Sequence, residues 1–152
     1  MTHLTTCLWF DGQAEPAARF YVSLFPDAKL GRISPRLPGV PGPSDVLTVE
    51  FELMGQAFLG LNGGPQFKFD EAISFQIPCE TQAEIDRYWE ALTADGGQPG
   101  PCGWCKDRFG VSWQVIPAIL PKLMSGAKAA EVAQAFMQMG KFDIAALEKA
   151  AA

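Results

Sequence analysis

The strongest constraint on the fold of this chain is an internal repeat. Each half carries a β-like run followed by a helix whose apolar residues keep the i, i+3, i+4, i+7 spacing of one helix face. In the first helix these residues are Ala17, Phe20, Tyr21 and Leu24, and in the second they are Ile85, Tyr88, Trp89 and Leu92. The two sets lie 68 residues apart (85 − 17 = 68). We therefore interpret the chain as a duplication rather than as two unrelated amphipathic helices.

Local signals mark both helices and the strands that follow them. Thr81 and Glu84 form a capping box at the start of the second helix. Pro16 lies in the first turn of the first helix, where its missing N–H costs little. Alternating apolar residues predict a half-buried strand over 47–53. Further strands are predicted over 29–34, 56–62, 97–101, 103–108 and 111–117. Each half is therefore predicted to have the order β-α-β-β-β.

These segments predict an α+β protein of two tandem β-α-β-β-β modules. The modules span residues 1–62 and 72–117, with a linker over 63–71, so that residues 1–117 form one paired domain. A helical tail follows over 118–152, and Asp143 is placed to cap its last helix. An apolar stripe on the tail is expected either to pack on the sheets or to contact a second subunit; it comprises Ala130, Ala133, Phe136 and Met137.

Charge and apolar patterning exclude several classes of partner. The net charge is −5 and no Lys/Arg cluster is present, which argues against a nucleic-acid partner. No apolar run approaches the roughly 20 residues of a membrane span, so no membrane partner is expected. No secretory leader is recognisable at residues 1–30. We expect a cytoplasmic protein whose four cysteines are thiols.

The segment from Cys102 to Pro117 raises two further possibilities. Cys102 and Cys105 have the C-x-x-C spacing of redox dithiols and zinc knuckles. A zinc knuckle requires a second pair, and a redox dithiol usually starts a helix, whereas a turn and a strand are expected here. We favour two small packed thiols. Asp107 precedes the last strand and is expected to bond local backbone amides in a turn.

Several motifs resemble those of one family. They are Cys7-Leu8-Trp9-Phe10-Asp11-Gly12, Phe20-Tyr21 with Phe25-Pro26-Asp27, Val46 to Leu53, Asn62-Gly63-Gly64-Pro65, Ile73-Ser74-Phe75, and the segment from Cys102. Together they resemble the PhnB-like family, often labelled 3-demethylubiquinone-9 3-methyltransferase domain, of the vicinal-oxygen-chelate superfamily that includes glyoxalase and bleomycin-resistance proteins. The resemblance implies two cupped mixed sheets, a small-molecule ligand and a homodimer.

The resemblance also implies four positions for metal ligands, and this chain departs from the pattern at each. They fall near Leu4, Gly60, Ala72 and Gln114. A stable site for Ni, Zn or Fe needs several imidazole, carboxylate or thiolate donors, which these residues lack. His3, beside the first position, is expected to be solvated. We therefore expect no metal and no other cofactor.

A pocket lining follows from the alternation of side chains along each strand. Phe75 and Ile77 are expected to face the second helix, which places Ser74 and Gln76 in the cup, and the offset of 68 places Thr6 and Leu8 there too. The full predicted lining is Thr6, Leu8, Phe58, Asn62, Ser74, Gln76, Trp104 and Gln114. The alternation does not determine which side of the sheet Glu50 and Glu52 occupy.

Three functional hypotheses follow, and the catalytic residues of any enzyme are unassigned. The first is metal-free binding of a small apolar or aromatic molecule. The second is an enzyme, either the 3-demethylubiquinone 3-methyltransferase of the family label or a glyoxalase-like lyase, isomerase or dioxygenase. The methyltransferase is disfavoured because no G-x-G turn follows a parallel strand. The third is a protein-interaction role through the tail.

Overall fold

Two compact units, each built around one four-stranded mixed sheet, make up the protein. The structure is a computed structural model and describes residues 2–152. The first unit ends at Phe69, and the second spans Asp70–Ala152. Both contain the order β-α-β-β-β, so the predicted α+β repeat is confirmed.

The first unit consists of β1 (Thr6–Phe10), α1 (Ala14–Leu24), β2 (Ala28–Pro35), β3 (Val46–Leu53) and β4 (Gln56–Asn62). Its sheet has the order β1-β4-β3-β2. Strand β1 runs parallel to β4, and the other neighbours are antiparallel.

Helix α1 covers one face of this sheet. Tyr21 is fully buried and its ring lies 6.0 Å from that of Phe51 on β3. A Cβ added at Gly60 would lie 3.2 Å from the Ala14 Cβ, so glycine allows the helix to approach β4 closely. Val49 and Leu53 are also buried on β3, which leaves Glu50 and Glu52 on the opposite, open face.

The second unit repeats this arrangement with β5 (Ser74–Cys79), α2 (Gln82–Thr93), β6 (Gln98–Pro99), β7 (Trp104–Lys106) and β8 (Ser112–Pro117). Its sheet has the order β5-β8-β7-β6, and β6 and β7 are shorter than their counterparts β2 and β3. The capping box is confirmed, because the Glu84 N–H donates to Thr81 Oγ1 at 3.2 Å. Buried Ile85, Tyr88 and Leu92 cover one sheet face.

The tail helices belong to the second unit and are tied to the start of α2. The helices are α3 (Leu120–Met124), α4 (Ala129–Phe136) and α5 (Ile144–Ala151). Gln82 donates to the Phe142 carbonyl and accepts from the Ile144 N–H, both at 2.9 Å. The cap by Asp143 is confirmed by its 3.0 Å bond from the Ala146 N–H.

The predicted apolar stripe on the tail is only partly covered within this chain. Val132 is the fully buried residue of α4, whereas Ala130 is exposed and Met137 is 64% exposed. Exposure of these two residues leaves a subunit contact through the stripe as a prediction. No helix within residues 2–152 has the length and apolar character needed to cross a membrane.

The Pro-rich segment between β2 and β3 is a loop, and Arg36 holds it in place. Arg36 donates through Nε to the Ser44 carbonyl at 2.8 Å and through Nη2 to the Asn62 carbonyl at 2.6 Å. These bonds join the loop to the end of β4.

Candidate functional site

The first strand faces the opposite way from the prediction. Leu8 is buried and pairs in register with Gly60, which faces α1. Thr6 shares that sheet face, and its Oγ1 accepts from Gln56 at 3.3 Å. Cys7 and Trp9 therefore occupy the open face. The assignment of Thr6 and Leu8 to a ligand-lining face was wrong.

The physical reason is one extra residue between strand and helix in the first module. Phe10 and Cys79 end equivalent strands 69 residues apart (79 − 10), whereas Ala14 and Gln82 begin equivalent helices 68 apart (82 − 14). A shift of one residue moves every side chain of a strand to the other face. Applying the helix offset of 68 to the strand therefore assigned its side chains to the wrong face.

The side chains of Phe58 and Asn62 also lie on the α1 side, so their predicted place on the open face was wrong, although Phe58 contributes to the wall of a concavity in the first sheet. Phe58 is buried and stacks on Phe51, with ring centroids 5.1 Å apart. Asn62 Oδ1 accepts from the Ala14 N–H at 2.9 Å, and its Nδ2 donates to the Val46 carbonyl at 2.9 Å. Asn62 thus joins α1, β3 and β4 and serves the fold.

The second sheet places the other four predicted residues together on its open face. Ile77 and Val115 are buried on the α2 side, which leaves the alternate residues facing away from α2. Gln114 Nε2 donates to Ser74 Oγ at 2.8 Å, and Gln76 Nε2 lies 3.4 Å from Gln114 Oε1. Strand β8 lies between β5 and β7, and Trp104 of β7 pairs in register with Gln114 of β8. These four residues, Ser74, Gln76, Trp104 and Gln114, are named the amide row.

A cavity of about 220 Å³ adjoins the amide row at the β6–β7 edge. Trp104, Pro99 and Pro101 contribute apolar walls. Lys106 and Glu71 contribute an ion pair, and the bond from Lys106 holds the pKa of the Glu71 carboxyl below its ordinary value.

The open face of the first sheet carries a larger and more charged concavity, of about 620 Å³. Its lining includes His3, Lys29, Glu50 and Glu52. Glu50 and Glu52 therefore occupy the open face, away from α1. Arg32 neutralises Glu50 at 3.4 Å in a pair that is at least half exposed. Exposed pairs of this kind are weak and solvated.

The residues at the family's metal positions do not fit a metal. Leu4 is 96% exposed, Gly60 has no side chain, and Ala72 offers no donor. The Gln114 oxygen is a neutral ligand that faces the Gln76 amide. Within residues 2–152, no three His, Cys, Asp or Glu side chains lie close enough together to hold a metal ion. A divalent cation needs more donors than this set supplies.

Asp107 has the structural role expected from its turn. Its Oδ1 accepts from the Phe109 N–H at 2.8 Å and the Val111 N–H at 3.1 Å. Its Oδ2 accepts from Trp113 Nε1 at 2.9 Å, a bond that the sequence did not indicate. The carboxylate is buried and fixes the start of β8.

The C-x-x-C pair is poorly suited to thiolate chemistry. Burial raises the pKa of the Cys105 thiol to about 12 and that of Cys79 to about 11. Cys102 lies in a turn with φ of +55°, not at a helix N-terminus. All four cysteines are free thiols. A reactive dithiol needs a thiolate with lowered pKa, which Cys105 lacks.

Thiol labelling should distinguish the buried thiols of Cys79 and Cys105 from the more accessible thiols of Cys7 and Cys102. At pH 8 a pKa near 12 leaves only about one Cys105 thiol in ten thousand ionised. We expect iodoacetamide to modify Cys7 and Cys102 in the native protein and to modify Cys79 and Cys105 only in urea, as mass spectrometry of the peptides would report. Rapid native labelling of Cys105, or a 102–105 disulfide under mild oxidant, would contradict this account.

Ser112 also lies on the open face, but it was not predicted from the sequence. Ser112 starts β8 on the same face as Gln114 and lines the 220 Å³ cavity. A serine at the start of a strand carries no pattern that distinguishes it from a turn residue. Only the packed structure identifies it.

Comparison with known proteins places the chain in a family. The profile of the 3-demethylubiquinone-9 3-methyltransferase family matches residues 2–116. The PhnB protein from Bacillus cereus is 34% identical, with a TM-score of 0.69, over 77% of this chain and 100% of that one. No curated protein matches this chain.

More distant structures share only the fold. Protein PA1353 from Pseudomonas aeruginosa is 20% identical with a TM-score of 0.63, over 77% of this chain and 98% of that chain. The fosfomycin resistance protein FosX from Listeria monocytogenes is 16% identical with a TM-score of 0.56, over 82% and 98%. The chain belongs to the 3-demethylubiquinone-9 3-methyltransferase family, together with the PhnB protein.

Proposed function

We propose that this protein binds a small apolar or aromatic molecule on the open face of its second sheet, without a divalent metal. The observation that carries the proposal is the amide row. It combines neutral hydrogen-bonding groups with an indole on one sheet face. Small-molecule sites are typically apolar surfaces with a few convergent polar groups.

Hydrogen bonding within the row supports a role in orienting a ligand. The 2.8 Å bond from Gln114 to Ser74 fixes the Gln114 amide. The Gln76–Gln114 contact is longer, at 3.4 Å, and is exposed. A ligand donor could replace that weak contact at little cost, because a typical net hydrogen bond contributes only about 0.5–1.5 kcal/mol.

Trp104 supplies the apolar part of the proposed surface. It is partly exposed and lies beside Gln114 in the register of β7 and β8. An aromatic ring stacked on the indole gains about 0.5–1.5 kcal/mol beyond the burial of its area. Thr6, Leu8, Phe58 and Asn62 have no part in this proposal.

Binding measurements on variants of the row test the proposal. A thermal-shift panel of small aromatic compounds, run in EDTA, would select the tightest ligand. We expect Gln114→Ala to raise its Kd about five-fold, the equivalent of one hydrogen bond. Trp104→Ala should raise it by a similar factor or more. Isothermal titration provides the values.

Gln134→Ala is the matched control, because Gln134 is exposed on α4. Its Kd should equal that of the wild type. Unchanged affinity in Gln114→Ala and Trp104→Ala would contradict the proposal. Stabilisation that requires Ni, Zn, Mn or Fe, or S-adenosylmethionine, would favour the enzyme alternatives instead.

The proposal extends to assembly and location. We propose a homodimer, as proteins of this fold commonly form dimers. We propose a cytoplasmic location because four free thiols suit a reducing compartment.

A further inference from the structure

The helical tail lies beyond the part of the chain that the family profile matches. That match ends at residue 116, and 77% of this chain covers the whole of the Bacillus cereus PhnB protein. Within the second unit, the tail contacts the turn between β6 and β7. These contacts connect the tail to the strand that carries Trp104.

Two backbone hydrogen bonds join the tail to this turn. The Cys102 N–H donates to the Met139 carbonyl at 2.8 Å. The Gly103 N–H donates to the Gly140 carbonyl at 2.8 Å. Trp104 follows directly and begins β7, which has three residues, while the adjacent edge strand β6 has two. Because such short strands form few ladder hydrogen bonds, the two bonds to the tail contribute substantially to holding the turn.

The Phe142 ring fills the space beside the same turn. Phe142 is 2% exposed, and a Cβ added at Gly103 would lie 2.4 Å from one of its ring atoms. The side chain of Gln82 on α2 fixes the backbone around this ring, because it bonds the Phe142 carbonyl and the Ile144 N–H. The position of Phe142 therefore limits where the turn can lie.

The turn has a conformation that needs support from its surroundings. Its two central residues, Cys102 and Gly103, have φ of +55° and +79°. The Trp104 N–H donates to the Pro101 carbonyl at 3.0 Å across the turn. Glycine adopts positive φ freely, whereas cysteine does so at a conformational cost. A residue keeps such a conformation where neighbouring groups hold it, and the bond to Met139 does this for Cys102.

We propose that the tail segment 139–142 positions Trp104 for ligand binding, by holding the turn that precedes it. Phe142 is then a positioning residue, which affects the ligand through Trp104 and not by direct contact. The inference rests on the proposed function, because Trp104 belongs to the amide row. It adds a means of regulation, since docking of the tail and binding of the ligand are coupled through one turn.

NMR of the indole N–H signals tests this positioning without a ligand. The chain has four tryptophans, and the spectrum of Trp104→Ala identifies the Trp104 signal. We expect that signal to shift or broaden in Phe142→Ala. It should also do so in Gln82→Ala, which loosens the tail without altering the turn and keeps the test valid if Phe142→Ala does not fold. A Trp104 signal at its wild-type position in the folded variants would overturn the proposal.

Gln138→Ala is the matched control for Gln82→Ala. Gln138 is exposed on the tail, one residue before Met139, and its side chain is not needed for either bond to the turn. The Trp104 signal should therefore keep its wild-type position in this variant.

A double-mutant cycle distinguishes positioning from general destabilisation. At a temperature well below unfolding, Phe142→Ala should raise the Kd of the panel ligand roughly three-fold, which is part of the effect of Trp104→Ala. In the Trp104→Ala background the same change should leave the Kd unaltered, because Phe142 acts through the indole. Equal losses of affinity in the two backgrounds would overturn the proposal.

The outcomes also separate this inference from the proposed function. If Trp104→Ala weakens the panel ligand while Phe142→Ala and Gln82→Ala change neither the Kd nor the indole signal, positioning by the tail fails and the binding function stands. If the wild type binds no panel compound, the binding function fails, and the indole signal alone decides whether the tail positions Trp104.

Discussion

Replacement of Asp107 by alanine is expected to lower the free energy of unfolding by about 3–4 kcal/mol. The variant loses charge-assisted bonds from Phe109 N–H, Val111 N–H and Trp113 Nε1. The last two donors are buried, so each would lose its partner away from water. Urea unfolding followed by circular dichroism provides the free energy.

Asp11→Ala is a suitable control, since Asp11 is exposed in the loop after β1. Its stability should stay within about 0.5 kcal/mol of the wild type. Asp107→Asn should fall between the wild type and Asp107→Ala, because an amide oxygen can still accept. A loss below about 1 kcal/mol in Asp107→Ala would show that the turn does not depend on the carboxylate.

Asn62→Ala is expected to cost about 2–4 kcal/mol of unfolding free energy. The change leaves the Ala14 N–H at the start of α1 and the Val46 carbonyl on β3 without their 2.9 Å partners. The side chain is 1% exposed, so water cannot readily replace it. Urea unfolding again provides the measurement.

Ligand affinity in the same variant separates a structural role from a binding role. The Kd of the panel ligand should be unchanged below the unfolding temperature of Asn62→Ala. Gln138→Ala, a change of an exposed amide, should alter neither property. Lost affinity with intact stability would restore Asn62 to the ligand site.

Much of the architecture was predictable because its signals are local. The capping box at Thr81, the cap at Asp143 and the strand over 47–53 each depend on neighbouring residues. The family motifs led to the further expectation that the two modules pair. Burial of Val132 in the tail was less predictable, because it depends on contacts that its own sequence does not specify.

The orientation of β1 could not be predicted from the helices. A connection that is one residue longer inverts the strand, and the helix offset of 68 does not record it, although Gln13-Ala14-Glu15 recurs as Gln82-Ala83-Glu84 at an offset of 69 (82 − 13). The close approach of Ala14 to Gly60 fixes the orientation. In the second module, Ile77 and Gln76 are neighbours on β5 and face opposite sides of the sheet. The apolar side chain of Ile77 indicated which side faces α2, so Gln76 was predicted correctly to face away from the helix.

The central claim is that the amide row binds an organic ligand without metal. It is tested most directly by side-chain NMR of ¹⁵N-labelled protein in EDTA, titrated with the panel ligand. We predict shifts at the side-chain amides of Gln76 and Gln114 and at the Trp104 indole, with none at Gln134. Shifts that avoid the amide row, or that need an added divalent cation, would contradict the claim.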